Sequence, residues 1–402
     1  MKVLQLCSKP PFPPVDGGTL AMNSITQGLL AAGCQVKVLA MSTAKHPVLD
    51  DRIPDSYRQS TRFETVFVDL APHPLDAAVA MLCGDSYHVR RFESKAFAQR
   101  LRQILDAEQF DIIHLESIFL APYVPVVRAH SQAPVFLRAH NVEHHIWRRI
   151  ARSERNPFKR WYIKHLALTL GAYEREHIND FDGVVSITDN DADYFRSQGC
   201  RKPIVTIPFA LDPAPPASQP EEPGSLFHLG SMDWLPNLEG VRWFLDSVWP
   251  LVHSQLPSLT LYLAGRRMPD DLLNLRLDGV RVVGEVPDAM QFIASKQINV
   301  VPLLSGSGIR VKILEAMSAG KVVVTTSCGA QGIPCTDGQH LLIADTPQQF
   351  AAQLKRCVDN PALCRALGDN ARRLVAENYG REALTRKLIA FYEKHLNLDN
   401  YE

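Results

Sequence analysis

Pro302-Leu303-Leu304-Ser305-Gly306-Ser307-Gly308-Ile309-Arg310-Val311-Lys312-Ile313-Leu314-Glu315-Ala316-Met317-Ser318-Ala319-Gly320 joins three signals in one run. Residues 298–301, apolar but for Asn299, end at Pro302 as a short strand, Gly306-Ser307-Gly308 makes a turn, and a helix is expected from about Ile309 to a stop at Gly320. Its first turn carries two cations, Arg310 and Lys312. Cations there oppose the helix dipole by roughly 0.3–1 kcal/mol each, so the pair asks for a bound anion, and a diphosphate would supply it. Ser307, Gly308 and Ile309 would line that site. Glu315, further along the same helix, can accept hydrogen bonds from vicinal hydroxyls such as those of a ribose. The competing reading is solvated charge on an ordinary strand-to-helix unit.

The same rhythm extends outward in both directions. Strands are expected at residues 3–7, 35–41, 63–69, 111–115, 134–139, 183–188 and 203–207, with helical periodicity between most of them. Residues 19–32 place Leu20, Ile25, Leu29 and Leu30 on one helical face and stop at Gly33. Pro208, Pro213, Pro215, Pro216, Pro220 and Pro223 then leave little backbone hydrogen bonding for a helix or central strand. Beyond them the alternation restarts, with strands at 225–230, 260–264, 280–283, 298–301 and 321–325 and a helical tail from Phe350. The expected organisation is α/β: a first parallel-sheet domain 1–207, a Pro-rich linker 208–224, a second parallel-sheet domain 225–380, and an amphipathic helix 381–402 crossing back to the first domain. Such domains face a cleft between the carboxyl ends of their strands, which is where open α/β sheets bind ligands.

Composition bounds the rest. At 402 residues, 46% hydrophobic and 21% charged, the chain is an ordinary globular protein of two or three domains. Its 43 basic residues balance its 43 acidic ones, which removes any global attraction for nucleic acid. The 8 cysteines form no Cys-x-x-Cys pair, residues 1–7 read as a strand and not as a secretion signal, and no apolar run reaches membrane-spanning length. A cytoplasmic location is expected, without nucleic acid as a partner.

Three further segments carry chemistry. Gly17 and Gly18 follow the first strand and open a helix, where the backbone can approach an anion; a flexible turn is the alternative. His140 ends a strand of the first domain, so it should face the cleft, where a neutral imidazole could hydrogen-bond a ligand; a packed or solvated strand-end histidine is the alternative, and His114, His144 and His145 are weaker candidates. Asp189-Asn190-Asp191-Ala192-Asp193 has Asp-x-Asp spacing, but it opens a helix where carboxylates serve as N-caps, so no metal is expected. Finally Arg148, Arg149, Arg152, Arg155, Lys159, Arg160 and Lys164 are interleaved with Trp147, Phe158, Trp161 and Tyr162. Two readings stay open for this run: a peripheral contact with an anionic membrane, or a solvated helical face with the aromatics in the core.

The chain resembles the retaining GT-B glycosyltransferases of family 4. The likeness is carried by Gly17-Gly18, Asp111-Ile112-Ile113-His114, Arg138-Ala139-His140-Asn141, Leu229-Gly230-Ser231-Met232-Asp233-Trp234-Leu235-Pro236-Asn237, and the segment 306–326. The resemblance implies two Rossmann-like domains, the second holding a nucleotide-diphosphate sugar (a GDP- or UDP-sugar) and the first a glycan or lipid-linked acceptor, with no cofactor and no metal. It places Gly17, Gly18, Gly230, Ser231, Ser307, Gly308, Ile309, Arg310, Lys312 and Glu315 at the donor and gives His140, Arg310 and Lys312 catalytic roles. The implied activity is hexosyl transfer with retention in bacterial-type polysaccharide or glycolipid biosynthesis. Two departures stand out. Ser307 replaces the first residue of the family's Glu-x7-Glu pair, and residues 231–237 lack its usual Arg and Lys, leaving Arg310 and Lys312 as the nearby cations. A non-catalytic nucleotide-sugar sensor, a scaffold of a glycan assembly complex and a GT-B nucleotide-sugar epimerase are the alternatives.

Overall fold

In the computed structural model, residues 1–14, 17–71, 73–154, 156–211, 214, 218, 220–305 and 310–398 are described. Thirteen strands run in chain order: β1 Lys2–Cys7, β2 Gln35–Ser42, β3 Glu64–Phe67, β4 Ile112–Leu115, β5 Val135–Ala139, β6 Gly183–Ser186, β7 Ile204–Thr206, β8 Ser225–Leu229, β9 Thr260–Ala264, β10 Val280–Gly284, β11 Ile298–Val301, β12 Val322–Thr325 and β13 Leu342–Ile343. They form two sheets of parallel strands, ordered β3-β2-β1-β4-β5-β6-β7 and β10-β9-β8-β11-β12-β13. The chain divides into two compact units, Met1–Ala210 with Leu384–Glu402, and Leu211–Ala383. Of the Pro-rich run 208–224, residues 212, 213, 215–217 and 219 lie outside the described residues.

Parallel pairing explains why the strands read as continuous apolar runs. Helices cover both faces of each sheet, so Val3, Leu4, Leu6 and Cys7 of β1 are all buried. In the first unit the strand order reverses between β1 and β4; in the second it reverses between β8 and β11. At such a point the helices leave toward opposite faces and open a crevice at the carboxyl ends of the two strands.

Several local readings change. The helix Gly17–Ala31 buries Ile25 and Leu29, but Leu20 is 41% exposed because it lies across the helix from the buried Met22–Ile25–Leu29 stripe. The helix Asp189–Ser197 is capped by Thr188, whose hydroxyl accepts from Asp191 N at 3.1 Å; Asp189 and Asp191 sit in the first turn and complement the dipole instead of capping. The two-residue strand β13 was too short for periodicity to signal.

The last helix, Arg381–Leu398, returns to the first unit. Leu384, Leu388 and Tyr392 recur every fourth residue and are buried there beside Val36, Val38 and Phe136.

Candidate active site

The two crevices collect most of the residues singled out above. In the second unit, the segment after β11 reaches its helix later than expected: the helix is Val311–Ser318, and Arg310 at φ −86° and ψ 87° is its N-cap, not a member of its first turn. Residues 306–309, and with them Ser307, Gly308 and Ile309, lie outside the described residues. Arg310 is buried, with Nη2 3.5 Å from the Cys328 carbonyl and its guanidinium over the Trp234 ring.

Lys312 crosses the crevice to the end of β8. Its ammonium donates to Asn237 Oδ1 at 2.5 Å and lies 3.4 Å from His228 Nε2. His228 Nδ1 donates to the Val300 carbonyl at 2.9 Å, so Nε2 is the unprotonated nitrogen and accepts from Lys312. Asn237 in turn donates to the Ser231 carbonyl at 2.8 Å, tying the loop after β8 to the lysine. Among the described residues the Lys312 ammonium meets neutral partners and forms no ion pair. Burial, followed by the Arg310 cation and opposed by Glu315, lowers its pKa to about 7. The site therefore holds a partly desolvated cation that feels Glu315 but makes no direct ion pair among the described residues. Burial raises the Glu315 carboxyl above its ordinary value, against the pull of Lys312.

Two glycines make this close packing feasible. A Cβ on Gly230 would lie 2.5 Å from Lys312 Nζ and 2.8 Å from Asn237 Nδ2. A Cβ on Gly265, at φ +149°, would collide with the Gly230 carbonyl. The loop after β9 also corrects the reading that Arg310 and Lys312 are the nearby cations. The Arg266 carbonyl accepts Met232 N at 3.0 Å, and Arg267 pairs with Asp233 at 2.7 Å, so one more cation, Arg267, borders residues 230–233. Adjacency of β9 to β8, a long-range pairing, brings it there. Ser231 donates to Asp233 Oδ1 at 2.5 Å.

In the first unit, Gly17 and Gly18 open a helix beyond the end of β1, and His140 follows β5, with β4 between them. A Cβ on Gly17 would meet nothing within 4 Å, which leaves its backbone accessible. His140 Nε2 lies 2.9 Å from Glu116 Oε2. Glu116 follows β4, is fully buried, and also receives Gln5 Nε2 at 2.7 Å. Burial opposes its charge, but His114 and His140 outweigh it and hold the carboxyl well below the usual range. Burial, against the opposing effect of Glu116, lowers the His140 pKa, so the imidazole is neutral at neutral pH.

His144 belongs to a separate arrangement. Its Nδ1 is 2.5 Å from Glu174, whose carboxylate also accepts the N–H groups of Glu143 and His144 and so caps the helix Glu143–Ser153. Beside it, a small pocket is lined in part by Ser117, His140, Asn141, Glu143 and Glu174. Burial and then the Glu174 charge raise the Glu143 pKa to about 7.

The basic aromatic run occupies the helices Glu143–Ser153 and Pro157–His177; Arg155 lies outside the described residues. Trp147 and Tyr162 are partly buried, but Phe158 is 83% and Trp161 60% exposed. Arg148, Arg149, Arg152, Lys159, Arg160 and Lys164 are exposed around them. No described helix is long and apolar enough to cross a membrane, and no group of three or more His, Cys, Asp or Glu suited to a metal ion occurs among the described residues.

Comparison with known proteins now adds the family. Residues 16–210 match the family described as glycosyl transferase 4-like domain, and residues 223–360 match glycosyl transferases group 1. The chain belongs to the family 4 type of GT-B glycosyltransferases. An uncharacterized 44.6 kDa protein in the cps region of Klebsiella pneumoniae is 27% identical over 296 residues, covering 70% of this chain and 74% of that protein. HepE of Anabaena, solved in complex with UDP, superposes with a TM-score of 0.66 at 13% identity, over 98% of this chain and 100% of that one. Sucrose-phosphate synthase of Thermosynechococcus elongatus gives 0.67 at 16% identity, over 99% and 100%. At these identities the structural likeness carries the fold.

Proposed function

We propose that this glycosyltransferase moves a hexose from a nucleotide-diphosphate sugar, a GDP- or UDP-sugar, to a glycan or lipid-linked acceptor in polysaccharide or glycolipid biosynthesis. One observation carries the reading: the Lys312 ammonium, without an ion pair among the described residues, stands in the β8/β11 crevice between Gly230, Asn237 and His228. A diphosphate there would meet Lys312, Arg310 and the N–H groups of the helix Val311–Ser318. The UDP bound by HepE and the cps region that encodes the Klebsiella relative support the donor class and the pathway class.

In the proposed reaction the bond from the anomeric carbon to the diphosphate oxygen breaks and a bond from that carbon to the acceptor oxygen forms on the same face, which retains configuration. The diphosphate leaves with the bonding electron pair, and the acceptor's proton passes to its oxygen. Charge grows on the diphosphate as the bond breaks, so Arg310 and Lys312 stabilise the transition state more than the bound donor. Glu315 holds the ribose hydroxyls, and His140 hydrogen-bonds the sugar or acceptor. Neither a cofactor nor a metal takes part in this scheme.

The exposure of Phe158 and Trp161 within a cationic surface favours peripheral contact with an anionic membrane at the cytoplasmic face over aromatics packed in the core. The test of the whole reading is incubation of the purified protein with a panel of nucleotide sugars and lipid or glycan acceptors. Acceptor-dependent release of nucleoside diphosphate supports it. Tight nucleotide-sugar binding without release or transfer assigns a sensor instead.

A further inference from the structure

We infer that Glu116 is the positioning residue of His140, fixing its imidazole with the proton on Nε2 so that Nδ1 is the atom offered to a substrate hydroxyl. The inference rests on the placement of His140 in the site and adds what that placement lacks: which nitrogen faces substrate, and what holds it there.

The buried Glu116 carboxylate is surrounded by groups whose hydrogen-bonding roles are fixed. Gln5 Nε2 lies 2.7 Å from Glu116 Oε1, and the amide cannot be reversed at no cost, because Gln5 Oε1 already accepts the Thr26 hydroxyl at 2.7 Å and Nε2 also donates to the Met22 carbonyl at 3.2 Å. Arg138 Nε stands 3.7 Å from Glu116 Oε2, and a guanidinium can only donate. His114 Nε2 faces Oε1 at 3.3 Å, while its Nδ1 lies 2.5 Å from the Tyr392 hydroxyl, which burial keeps protonated. Gln5 and Arg138 thus offer Glu116 only donors. A protonated Glu116 would bring a donor into that ring, whereas the carboxylate satisfies it.

With Glu116 ionised, the 2.9 Å contact from His140 Nε2 must be N–H donating to carboxylate. Arg138 supplies the balancing charge, so no imidazole has to be charged to neutralise Glu116. It does so without occupying a lone pair: Arg138 Nε and Nη1 make no hydrogen bond, which leaves Oε2 to His140. A neutral imidazole whose Nε2 is protonated presents Nδ1 as an acceptor, and the complementary group on a sugar is the O–H of a hydroxyl. The groups bearing on His140 are Glu116, Arg138 and His114, with Glu143 and Glu174 lining the adjoining pocket. Tyr392 extends the network into the last helix, so the fold's final segment helps to hold the imidazole's support.

The test reads the tautomer directly. Protein labelled with 15N histidine should give long-range 1H–15N correlations placing the His140 proton on Nε2 at neutral pH. Glu116→Gln, which keeps the shape and removes the charge, should mix the two tautomers and lower kcat by roughly 10–100-fold, the scale seen on losing a residue that orients a ligating histidine, with the donor KM almost unchanged. A wild-type proton on Nδ1 would overturn the inference without any variant being needed, which covers the case in which Glu116→Gln does not fold. A folded Glu116→Gln protein with wild-type tautomer and kcat would overturn it as well. Full turnover in His140→Ala would instead remove the reading beneath it, and the two failures are distinguishable because the spectrum reports the tautomer whatever the turnover.

Discussion

Burial and Arg310 work against the charge of Lys312 and lower its pKa to about 7, so if this lysine holds the donor diphosphate, binding has a definite pH dependence. A bound diphosphate favours the ammonium, so its pKa rises on binding and a proton is taken up as pH passes above about 7. Below that value the charge is already present and affinity should be flat. Above it affinity should fall by up to about tenfold per pH unit, provided the donor is a nucleotide sugar, whose diester phosphates do not titrate there. Calorimetry in buffers of different ionisation enthalpy would show the uptake, and pH-independent binding from neutral to alkaline conditions would refute it. Glu315→Ala should cost roughly 1.5–3 kcal/mol of nucleotide affinity if its carboxylate holds the ribose; equal affinity of mutant and wild type for the nucleoside diphosphate would remove it from the site. His140 stands out in the sequence because it ends a strand, and Arg310 and Lys312 because they follow a Gly-Ser-Gly turn at the start of a helix. Glu116 sits after β4 by the same logic and could have been found so. His228 and Asn237 could not, since their roles depend on β8 lying beside β11, which periodicity does not encode.

The helices Glu143–Ser153 and Pro157–His177 show how far an element can be read from its pattern. The interleaving of cations and aromatics was visible, but whether Phe158 and Trp161 point inward was not, because their spacing suits either face of a helix in a partly covered position. If this surface meets an anionic bilayer, neutralising Arg148, Arg149 and Arg152 should weaken vesicle binding by about 1 kcal/mol per residue at low salt. A wild-type protein that ignores phosphatidylserine vesicles in a flotation assay would end that proposal. The last helix is the opposite case. Its stripe of Leu384, Leu388 and Tyr392 was legible as amphipathic, and the structure buries it in the first unit. Leu388 is fully buried, so Leu388→Ala should cost about 2–5 kcal/mol in chemical denaturation. A loss under about 1 kcal/mol would show the helix to be loosely attached.

The molecule comprises two α/β units built on parallel sheets, each with a crevice where its strand order reverses, and among the described residues twelve of the thirteen strands overlap runs visible in the sequence. Continuous apolar runs in parallel sheets make such strands easy to read, and β13, with two residues, has no run to read. Substrate identity is far less legible, because hydroxyl and base recognition depends on a few side chains and backbone groups brought together from distant positions. The proposed reaction therefore turns on a cation pair that would receive the leaving diphosphate. Turnover of an accepted nucleotide sugar by wild type, Lys312→Ala and Arg310→Ala, each checked for folding by thermal unfolding, tests it most directly. The account predicts that loss of either charge lowers kcat by about 10²–10³-fold with a smaller change in donor KM. Folded variants that retain wild-type kcat would contradict it and place the diphosphate elsewhere.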